Sequence, residues 1–524
     1  IRRREIELLI NIKKHQYKDV KKKTEKELMK LQNGSDVRGI ALEGVEGEKV
    51  NLRPEAANLI AAAFVKFLSK KLGRPAGELK LAVGHDSRLS ATSLKEAALQ
   101  GILAEGAQAY DCHMASTPAM FMSIVFPETA MDGSIMITAS HLPFNRNGLK
   151  FFTKDGGLEK ENIIELLEIA AGLQERSADL TQAKPLDLID IYAKNLCEKI
   201  RQGIQAENYD QPLKGMHIVV DAGNGAGGFF ANKVLVPLGA DIEGSLYLEP
   251  DGHFPNHIPN PENQAAMDAI KGAVLSSHAD LGIIFDTDVD RMSAVLPDGQ
   301  QISRNALIAM MAAILAPDYP GSTIITDSVT SDELADFLEN KLHLKHHRYM
   351  RGYKNVINEC IRLNKAGTVS PLAIETSGHG ALSENYYLDD GAYLAVKLLI
   401  AAAKAKAEGK VLADLIKDLQ HPAEEKEYRL KIKDVEDFRS YGQSVLAEFE
   451  KRAKAKGIKM ATPSYEGIRL VFPGEGWVLL RMSLHDPNMP MNMESTHVGG
   501  CEKLTAIVKE MVTGFPHLDI SVLG

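Results

Sequence analysis

The chain has 524 residues, with 44% apolar and 25% charged residues, a composition typical of an ordinary globular protein of several domains. Its formal net charge of −9 argues against nucleic-acid binding, because a phosphate backbone calls for a basic surface. No run of about 18 apolar residues occurs, so we expect no membrane span.

Residues 1–32 are dense in Lys and Arg, and a solvated basic helical extension is the simplest interpretation. A basic amphipathic helix that binds a membrane surface or a partner stays open, as does a trimmed plastid or mitochondrial targeting region, which Glu5 and Glu7 fit poorly. The four cysteines lie far apart with no CxxC pair, which favours a reduced compartment. We therefore expect a cytoplasmic protein, with a plastid location left open.

The body of the chain alternates short apolar runs with stretches of helical periodicity. Residues 79–84 predict a strand, and residues 93–106 predict a helix. The strand pattern recurs at 134–140, 217–223, 281–286, 322–327 and 371–375. This alternation predicts mixed or parallel α/β layers, in which ligands bind at the carboxyl ends of strands.

The C-terminal residues have a different pattern. Residues 467–472 and 477–483 predict a β-hairpin, and a helix is expected at 499–513. The charged segment 421–429 before them is interpreted as a linker. Together these features predict a separate C-terminal α+β domain.

The segment TASHLPFNRNGLK at 138–150 presents Ser140 directly after an apolar strand. A serine hydroxyl can carry a phosphoryl group when cations offset the charge that develops during transfer, and His141, Arg146 and Lys150 lie nearby in sequence. An N-cap of a following helix is the alternative. An esterase with a Ser-His-Asp triad is disfavoured, because the GxSxG motif is lacking.

The segment DTDVDR carries Asp286, Asp288 and Asp290 on alternate positions after another apolar strand. In extended backbone alternate side chains share a face, and three carboxylates there would repel one another without a cation. An EF-hand is excluded, because Arg291 and Pro297 occupy the positions that need Gly and Glu. Mg²⁺ is the expected ion, with Arg291 in contact with phosphate. A solvated acidic turn is the alternative.

The segment ETSGHG supplies Glu375, Ser377 and His379, whose polar groups suit sugar hydroxyls. Taken alone, this motif is equally consistent with a plain turn. The histidines of HLKHHR at 343–348 lack the spacing of a metal site, and we interpret them as a solvated patch.

The segment RMSLHDP offers the guanidinium of Arg481 and the hydroxyl of Ser483, a combination that suits a phosphate. An ordinary strand end is the alternative. Arg38 and Lys354 are further cations, either of which could be plain surface charge.

The GNGAGG motif indicates a different chemistry. It places Gly223, Gly225 and Gly228 after a strand, and Asp241 and Glu243 follow about 20 residues on, as in a dinucleotide-binding site. A tight strand-to-helix turn also favours glycine and is the structural alternative.

The order and spacing of the four polar motifs resemble the α-D-phosphohexomutase family over roughly residues 33–524. The resemblance implies that Ser140 carries the phosphoryl group, that Asp286, Asp288, Asp290 and the phosphoserine bind Mg²⁺, that Glu375 and Ser377 read sugar hydroxyls, that Arg481 and Ser483 anchor phosphate, and that Arg38, Lys150 and His379 assist proton transfer. Arg291 and Lys354 are expected substrate contacts. GNGAGG falls where the family has a structural turn.

The fold that this resemblance implies is α/β, with three related mixed α/β domains and a C-terminal α+β domain around a central cleft. The expected divisions are a basic helical extension (1–32), a phosphoserine-loop domain (33–187), a metal-loop domain (188–303), a sugar-binding-loop domain (304–420) and a C-terminal phosphate-binding domain (421–524).

The implied activity is interconversion of hexose 1-phosphate and hexose 6-phosphate, of glucose and/or mannose. The reaction would use a phosphoserine enzyme, a 1,6-bisphosphate intermediate, Mg²⁺ and catalytic amounts of hexose 1,6-bisphosphate as activator. A phosphoglucosamine mutase, a non-catalytic phosphosugar-binding protein and an NAD-dependent oxidoreductase stay open as alternatives. We expect a monomer or homodimer.

The chain departs from the family pattern at several loop positions: Thr287, Val289 and Ile374 where glycine is common, Leu142 for Asn, and His485 and Asp486 for Thr and Glu. Thr287 and Val289 lie between the expected metal ligands, so metal binding should survive. The changes at His485 and Asp486 leave the phosphate contacts open.

Overall fold

A computed structural model describes residues 24–483 and 486–524, and the chain forms two compact units. Of the described residues, the first unit comprises 24–301 and 390–408, and the second comprises 302–389, 409–483 and 486–524. Among the helices of the described residues, none combines the length and the apolar character that a bilayer crossing requires.

The bounds of the elements follow in chain order. The strands are β1 (Gln32–Asn33), β2 (Asp36–Ile40), β3 (Lys80–His85), β4 (Gln108–Met114), β5 (Gly133–Ile137), β6 (Arg146–Thr153), β7 (Gly156–Gly157), β8 (Lys184–Pro185), β9 (Ile218–Asp221), β10 (Leu281–Phe285), β11 (Met292–Val295), β12 (Gln301–Ile302), β13 (Thr323–Thr326), β14 (Lys345–Arg348), β15 (Leu372–Ile374), β16 (Gly380–Leu382), β17 (Leu388–Asp389), β18 (Glu424–Ile432), β19 (Lys459–Met460), β20 (Ile468–Phe472), β21 (Gly476–Leu480), β22 (Asn488–Ser495) and β23 (Leu518–Asp519). The α-helices are α1 (Pro54–Leu72), α2 (Ala91–Ala104), α3 (Thr117–Val125), α4 (Lys160–Ala171), α5 (Leu188–Ile204), α6 (Gln264–Ser277), α7 (Arg304–Leu315), α8 (Asp332–Asp336), α9 (Tyr353–Lys365), α10 (Gly391–Ala407), α11 (Phe438–Ala455) and α12 (Gly500–Val512).

The first unit contains two sheets. The larger one has the order β1-β2-β6-β5-β3-β4-β8, with β7 paired to β6, and the smaller one has the order β12-β11-β10-β9. Strand β3 runs parallel to β4 and β5, and β9 runs parallel to β10. Because parallel neighbours end at the same edge of a sheet, the loops after β3 and β5 lie side by side, as do those after β9 and β10.

Helix α1 shows how the sequence builds the layer that covers the larger sheet. Pro54 occupies the first turn of this helix, where a backbone amide has no acceptor within the helix and proline therefore removes no hydrogen bond. Gly73 ends the helix in a left-handed conformation with φ 65°. Between these signals, Phe64 and Leu68 lie one turn apart on a buried face. The Phe64 ring meets that of Phe151 in β6, with 5.0 Å between centroids.

The second unit also contains two sheets. One has the order β14-β13-β15-β16-β17, with β13 parallel to both β14 and β15. The other is antiparallel, with the order β19-β20-β21-β22-β18-β23, and it packs against α11 and α12. The predicted α/β class with a C-terminal α+β domain is thus confirmed, as is the hairpin formed by β20 and β21.

The predicted linker at 421–429 is wrong. Strand β18 begins at Glu424 and pairs along its length with β22, so the segment is a strand inside the C-terminal sheet. The strand is hard to recognise in the sequence, because its first half is charged and its buried residues Leu430 and Ile432 lie at its far end. The charged side chains of the first half lie on exposed positions of the same strand.

The predicted solvated patch at 343–348 is also wrong for its central residues. His346 lies in β14, and its ring nitrogen Nε2 is 2.8 Å from the Thr326 hydroxyl. Burial lowers the pKa of His346 well below its ordinary value. His347 contacts the Glu359 carboxylate at 3.0 Å.

The expected basic extension at 1–32 lies mostly outside the described residues, which begin at 24. Residues 24–29 are helical, and Leu28 and Leu31 are buried in the core of the first unit. The end of this segment is therefore packed against the globular part rather than solvated along its whole length.

Candidate active site

Ser140 follows the carboxyl end of β5, where the chain turns before it enters β6. Its φ of 52° is left-handed, a conformation that a non-glycine residue adopts only when the surroundings hold it. Thr138 contributes to this hold, since its hydroxyl accepts a hydrogen bond of 2.9 Å from the Ser140 amide. Within the described residues 138–150 no helix follows, so the alternative that Ser140 caps a helix is wrong.

Arg88 holds the rest of this serine loop, and the sequence analysis missed it. Its buried guanidinium pairs with Asp86, with 3.3 Å between Nε and Oδ2. It also donates to the backbone carbonyls of Ser140, Leu142 (2.6 Å), Pro143 (2.8 Å) and Arg146 (3.0 Å). Burial raises the pKa of Asp86 to about 6, although the Arg88 charge acts in the opposite direction. Both residues follow β3, the parallel neighbour of β5, and that position was the signal that could have revealed them.

The three carboxylates of DTDVDR converge after β10. One oxygen from each of Asp286, Asp288 and Asp290 lies within 4.8 Å of the others, and all three side chains are buried. The alternative of a solvated acidic turn is therefore wrong. The segment is a turn rather than extended backbone, with Val289 left-handed at φ 68°, so convergence arises from the turn and not from strand alternation.

These carboxylates fit a hard divalent cation. In the described residues, Asp288 Oδ1 is buried and makes no hydrogen bond, which is costly for a carboxylate oxygen without a cation. The other oxygen, Oδ2, accepts from Lys150 Nζ (3.0 Å) and from the Thr117 hydroxyl. Lys150 also contacts Asp290, with 2.6 Å between Nζ and Oδ2. Thr117 begins α3, and its role at this loop was missed from the sequence.

Arg291 connects the acidic loop to the serine. Its Nη2 donates to Ser140 Oγ at 2.8 Å, and its Nε donates to Asp286 Oδ2 at 3.1 Å. Asp286 Oδ2 in turn accepts from Ser140 Oγ at 3.2 Å. Burial alone would lower the pKa of Arg291, but Asp286 and Asp290 raise it above its ordinary value. The serine hydroxyl thus lies between a carboxylate and a permanent cation.

Arg38 lies in β2, paired in register with Gly148 of β6, the strand that also carries Lys150. Its Nη2 is 3.0 Å from Asp36 Oδ2. The first unit therefore brings Ser140, Lys150, Arg291 and the three carboxylates together, and it places Arg38 on a neighbouring strand.

In the second unit, Glu375 follows β15 and is buried, with Oε1 accepting from the Gly352 amide at 2.6 Å. Ser377 Oγ lies 3.5 Å from the second oxygen of Glu375. Burial and the neighbouring Asp327 carboxylate raise the pKa of Glu375 to about 7. The ETSGHG motif forms a turn, as the alternative interpretation of the sequence expected, and this turn buries the Glu375 carboxylate.

His379 lies in the same loop and is held by two neighbours. Its Nδ1 is 2.6 Å from Asp389 Oδ2, and its ring stacks on Tyr353 with 5.2 Å between centroids. Lys354 is in the first turn of α9, next to Tyr353. No local pattern predicts the Asp389 contact, because His379 lies in the loop before β16 whereas Asp389 ends β17.

Arg481 follows β21 and is buried against Glu466, with 3.5 Å between Nη1 and Oε1. Glu466 Oε2 also accepts from the Arg351 amide at 3.0 Å, which makes Glu466 a further residue missed from sequence. Ser483 accepts a hydrogen bond of 3.2 Å from the Asp486 amide. His485 falls outside the described residues, so the departure there has no structural account.

The glycines of GNGAGG permit close approach of backbone. A Cβ on Gly225 would lie 2.6 Å from the Thr287 carbonyl oxygen, and one on Gly228 would lie 2.3 Å from that of Leu248. A Cβ on Gly223 would lie 2.8 Å from Pro259 Cβ. Such distances are too short for any side chain, so this motif is the tight structural turn and not a phosphate cradle.

Three family profiles match the chain in succession. "Phosphoglucomutase/phosphomannomutase, alpha/beta/alpha domain I" matches residues 29–176, domain II matches 192–299, and domain III matches 303–422. The chain belongs to the phosphoglucomutase/phosphomannomutase family. It is therefore an enzyme, a phosphohexomutase of the isomerase class.

Individual relatives of this phosphohexomutase cover most of its length. A "Phosphomannomutase/phosphoglucomutase" of Pseudomonas syringae pv. tomato is 28% identical over 449 residues, which are 84% of this chain and 89% of the relative. A "Probable phosphoglucosamine mutase" of Methanocella arvoryzae is 29% identical over 464 residues, 87% of this chain and 95% of the relative.

A solved structure of a "Phosphoglucomutase/phosphomannomutase family protein" from Burkholderia thailandensis has the same fold. Its TM-score is 0.74 at 24% identity, and the match covers 92% of this chain and 98% of that one. The family is metal-dependent and acts on sugar phosphates, and the phosphohexomutase described here has an acidic cluster that could hold the metal.

Proposed function

We propose that the chain interconverts hexose 1-phosphate and hexose 6-phosphate, of glucose and/or mannose, through phospho-Ser140 and a hexose 1,6-bisphosphate. The observation that carries this proposal is the position of Ser140 Oγ. It lies 2.8 Å from Arg291 Nη2 and 3.2 Å from Asp286 Oδ2, beside two more carboxylates. A hydroxyl beside a cation and a candidate metal site is suited to carry a phosphoryl group.

The proposed reaction is a transfer of one phosphoryl group in each direction. The bond between phosphorus and Ser140 Oγ breaks, a bond to the free hydroxyl of the hexose monophosphate forms, and the hydroxyl proton leaves to a base. In the return step the bond between the other phosphate and its sugar oxygen breaks, that oxygen takes up the proton, and a new bond from phosphorus to Ser140 Oγ restores the phosphoserine. Arg291 stays charged throughout, so its guanidinium can stabilise the phosphoserine and the charge that develops during transfer.

Asp286, Asp288 and Asp290, together with the phosphoserine, would hold Mg²⁺. When bound, the ion would offset negative charge on the transferred oxygens. Lys150 contacts Asp288 and Asp290 through Nζ, which places a cation at the same cluster.

Proton transfer is assigned to Lys150, Arg38 and His379. His379 has a defined orientation, because Asp389 contacts Nδ1 and Tyr353 stacks on the ring. A histidine fixed through one ring nitrogen presents the other in a set direction, as general acid–base catalysis requires.

Recognition of the sugar and of the second phosphate is assigned to the second unit. Glu375 and Ser377 offer acceptors for sugar hydroxyls, with Lys354 as a further substrate contact. Arg481 and Ser483 would bind the phosphate that is not being transferred, since guanidinium and hydroxyl groups both donate to phosphate oxygens.

A hexosamine phosphate is the second candidate substrate. The observation that favours it is the relative whose name is a probable phosphoglucosamine mutase, which is as similar to this chain as the phosphomannomutase/phosphoglucomutase relative is.

Phosphorus NMR of the purified protein tests these proposals. The sample contains Mg²⁺, a trace of the matching 1,6-bisphosphate and, in turn, glucose, mannose or glucosamine 1-phosphate. Growth of a 6-phosphate signal with glucose or mannose is the expected result, and Ser140→Ala should abolish it while the protein stays folded. Conversion of glucosamine phosphate alone would transfer the assignment to the second candidate. Binding without conversion of any sugar would show a non-catalytic phosphosugar-binding protein.

A further inference from the structure

The buried pair of His257 and Asp221 has a defined protonation state. His257 Nε2 lies 2.9 Å from Asp221 Oδ2, and Nδ1 lies 2.9 Å from the Ile258 carbonyl oxygen. A carbonyl and a carboxylate both accept hydrogen bonds, so a ring that donates through both nitrogens, an imidazolium, satisfies both contacts. The side chains are 2% and 0% exposed, and the edge of the Tyr247 ring system covers the imidazole at 5.3 Å between centroids.

The charge balance of this pair agrees with its geometry. Burial alone would lower the pKa of His257, but the hydrogen bond to Asp221, the Asp221 charge and the Ile258 carbonyl raise it above the ordinary value. Asp221 also accepts a hydrogen bond through Oδ1 from the Gly223 amide at 2.8 Å. The ion pair thus links the end of β9 to the segment that carries His257.

That segment, residues 251–263, is pinned to the GNGAGG turn. Pro259 packs where a Cβ on Gly223 would have to lie. Asn256 donates through Nδ2 to Asn224 Oδ1 at 2.8 Å, and the Asp251 amide donates to the Asn224 carbonyl at 2.9 Å. Segment 251–263 therefore packs against the GNGAGG turn, whose glycines resembled a dinucleotide-binding motif in the sequence.

The far end of the 251–263 segment reaches Arg291. Asn260 Oδ1 is 3.4 Å from Arg291 Nη1, and Glu262 Oε2 is 3.9 Å from the same nitrogen. Asn260 Oδ1 also accepts from the Glu262 backbone amide at 3.0 Å, which orients the Asn260 side chain within the segment. The remaining edges of the guanidinium face Asp286 through Nε, and Ser140 and His141 Nδ1 through Nη2.

We propose that His257 is a positioning residue for phosphoryl transfer: its ion pair with Asp221 holds the 251–263 segment, and Asn260 and Glu262 in that segment hold the Arg291 guanidinium against Ser140. This inference rests on the proposed function of Ser140. A guanidinium is planar, so a rotation that releases Nη1 also moves Nη2 away from the serine. A displacement of about 1 Å at a reacting group costs roughly a hundredfold in rate.

The test compares His257→Gln with His253→Gln in the full chain. His253 lies in the same segment and pairs with Asp251, with 2.8 Å between Nδ1 and Oδ1, but it is exposed. Initial rates of hexose 6-phosphate formation give kcat and KM for each variant. We expect His257→Gln to lower kcat about ten- to a hundredfold with KM within about twofold, and His253→Gln to match the wild type.

A double-mutant cycle separates the ion pair from a general loss of packing. Asp221→Asn should lower kcat as His257→Gln does, because each single variant leaves one buried charge without its partner. The combined His257→Gln and Asp221→Asn variant should regain part of that loss. Additive losses, or an unchanged kcat in His257→Gln, would overturn the positioning role.

Nitrogen-15 NMR of the wild type gives a readout that does not depend on activity. At pH 7.5 we expect both ring nitrogens of His257 to carry protons, whereas an imidazole with the unperturbed pKa of about 6.5 is mostly neutral at that pH. A neutral His257 would overturn the proposal on its own. A wild type that shows the imidazolium but converts no hexose phosphate would instead contradict the proposed function of Ser140, and the positioning role would fall with it.

Discussion

The acidic loop of the first unit and Glu375 in the second unit are buried in different electrostatic surroundings. In the first unit, Asp288 and Asp290 contact Lys150, and Asp286 contacts Arg291, so each negative charge near Ser140 has a cation within hydrogen-bonding distance. In the second unit, Glu375 is buried near another carboxylate, Asp327, and its pKa is raised to about 7.

This difference matches the two tasks in the proposed reaction. Charge develops at the transferred phosphoryl group, and a preorganised set of compensated charges stabilises it without rearrangement. A sugar is neutral, so the group that reads its hydroxyls is an acceptor whose hydrogen bonds the ligand itself completes. Charge changes in the acidic loop should therefore act most strongly on turnover, and charge changes at Glu375 most strongly on affinity.

The largest effect is expected for Asp288→Asn in the first unit. Loss of one negative charge weakens the site for the divalent cation and leaves Lys150 with less compensation. We expect kcat to fall about a hundred- to a thousandfold, with more Mg²⁺ needed for half-maximal rate. Rates measured across a Mg²⁺ series check this. Asp298→Asn, at an exposed turn position, is the control and should leave the rate unchanged.

Arg88→Gln tests whether the compensated charges also hold the fold. The substitution leaves Asp86 buried without its cation and removes donors from several carbonyls of the serine loop. We expect the free energy of unfolding to fall by about 3 kcal/mol. Urea denaturation measures the change. The matched control is Arg74→Gln, which breaks a partly exposed ion pair with Asp132 and should cost under about 1 kcal/mol. Equal losses would contradict the distinction.

Glu375→Gln tests the second unit. Removing the charged acceptor should raise KM about ten- to a hundredfold with a smaller change in kcat. In the wild type, KM should rise as pH falls through about 7, because the protonated carboxyl has lost acceptor capacity. Glu375→Gln should lack this step. A wild-type KM that does not change between pH 6 and 8 would contradict the proposed role.

The sign of the stability effect at Glu375 is also fixed. Its pKa rises from an ordinary 4.5 to about 7 on folding, so the folded protein binds this proton more tightly than the unfolded chain does. The group therefore destabilises the fold above about pH 7 relative to pH values below 4.5. Glu375→Gln should remove that part of the pH dependence in denaturation experiments.

The smallest effect is expected for Arg481→Lys. Lysine keeps the charge but loses the paired donors of a guanidinium, so KM should rise about tenfold with kcat nearly unchanged. Arg439→Lys, on the exposed side of α11, is the control. Steady-state kinetics with the same hexose phosphate compares the two. A large fall in kcat for Arg481→Lys would show that this residue acts on the reacting group instead.

The strand ends were the most predictable part of the candidate site. Ser140, Asp286, Glu375 and Arg481 each follow an apolar run in the sequence. In the structure the last three lie directly after a strand, and Ser140 lies three residues beyond the end of β5. Ligand groups collect at such positions in α/β sheets, so a polar motif after an apolar run is informative without any contact being known. Strand β18 was not predicted, because charged residues fill its first half and obscure the alternation of apolar and polar residues that identifies a strand.

The sequence by itself determined the α/β class, the C-terminal α+β domain and the motifs that carry chemistry, because hydrophobic period and local residue type are written along the chain. Only the tertiary structure decided which side chains meet. Arg88 is 52 residues from Ser140, and Asn260 is 31 residues from Arg291. Such contacts depend on strand register and loop path, and no local pattern encodes them. The glycines of GNGAGG illustrate the same point. Glycine is favoured both where two backbone segments approach closely and where a loop binds phosphate, so the motif alone cannot separate the two. The close contacts with Thr287 and Pro259 identify the first case.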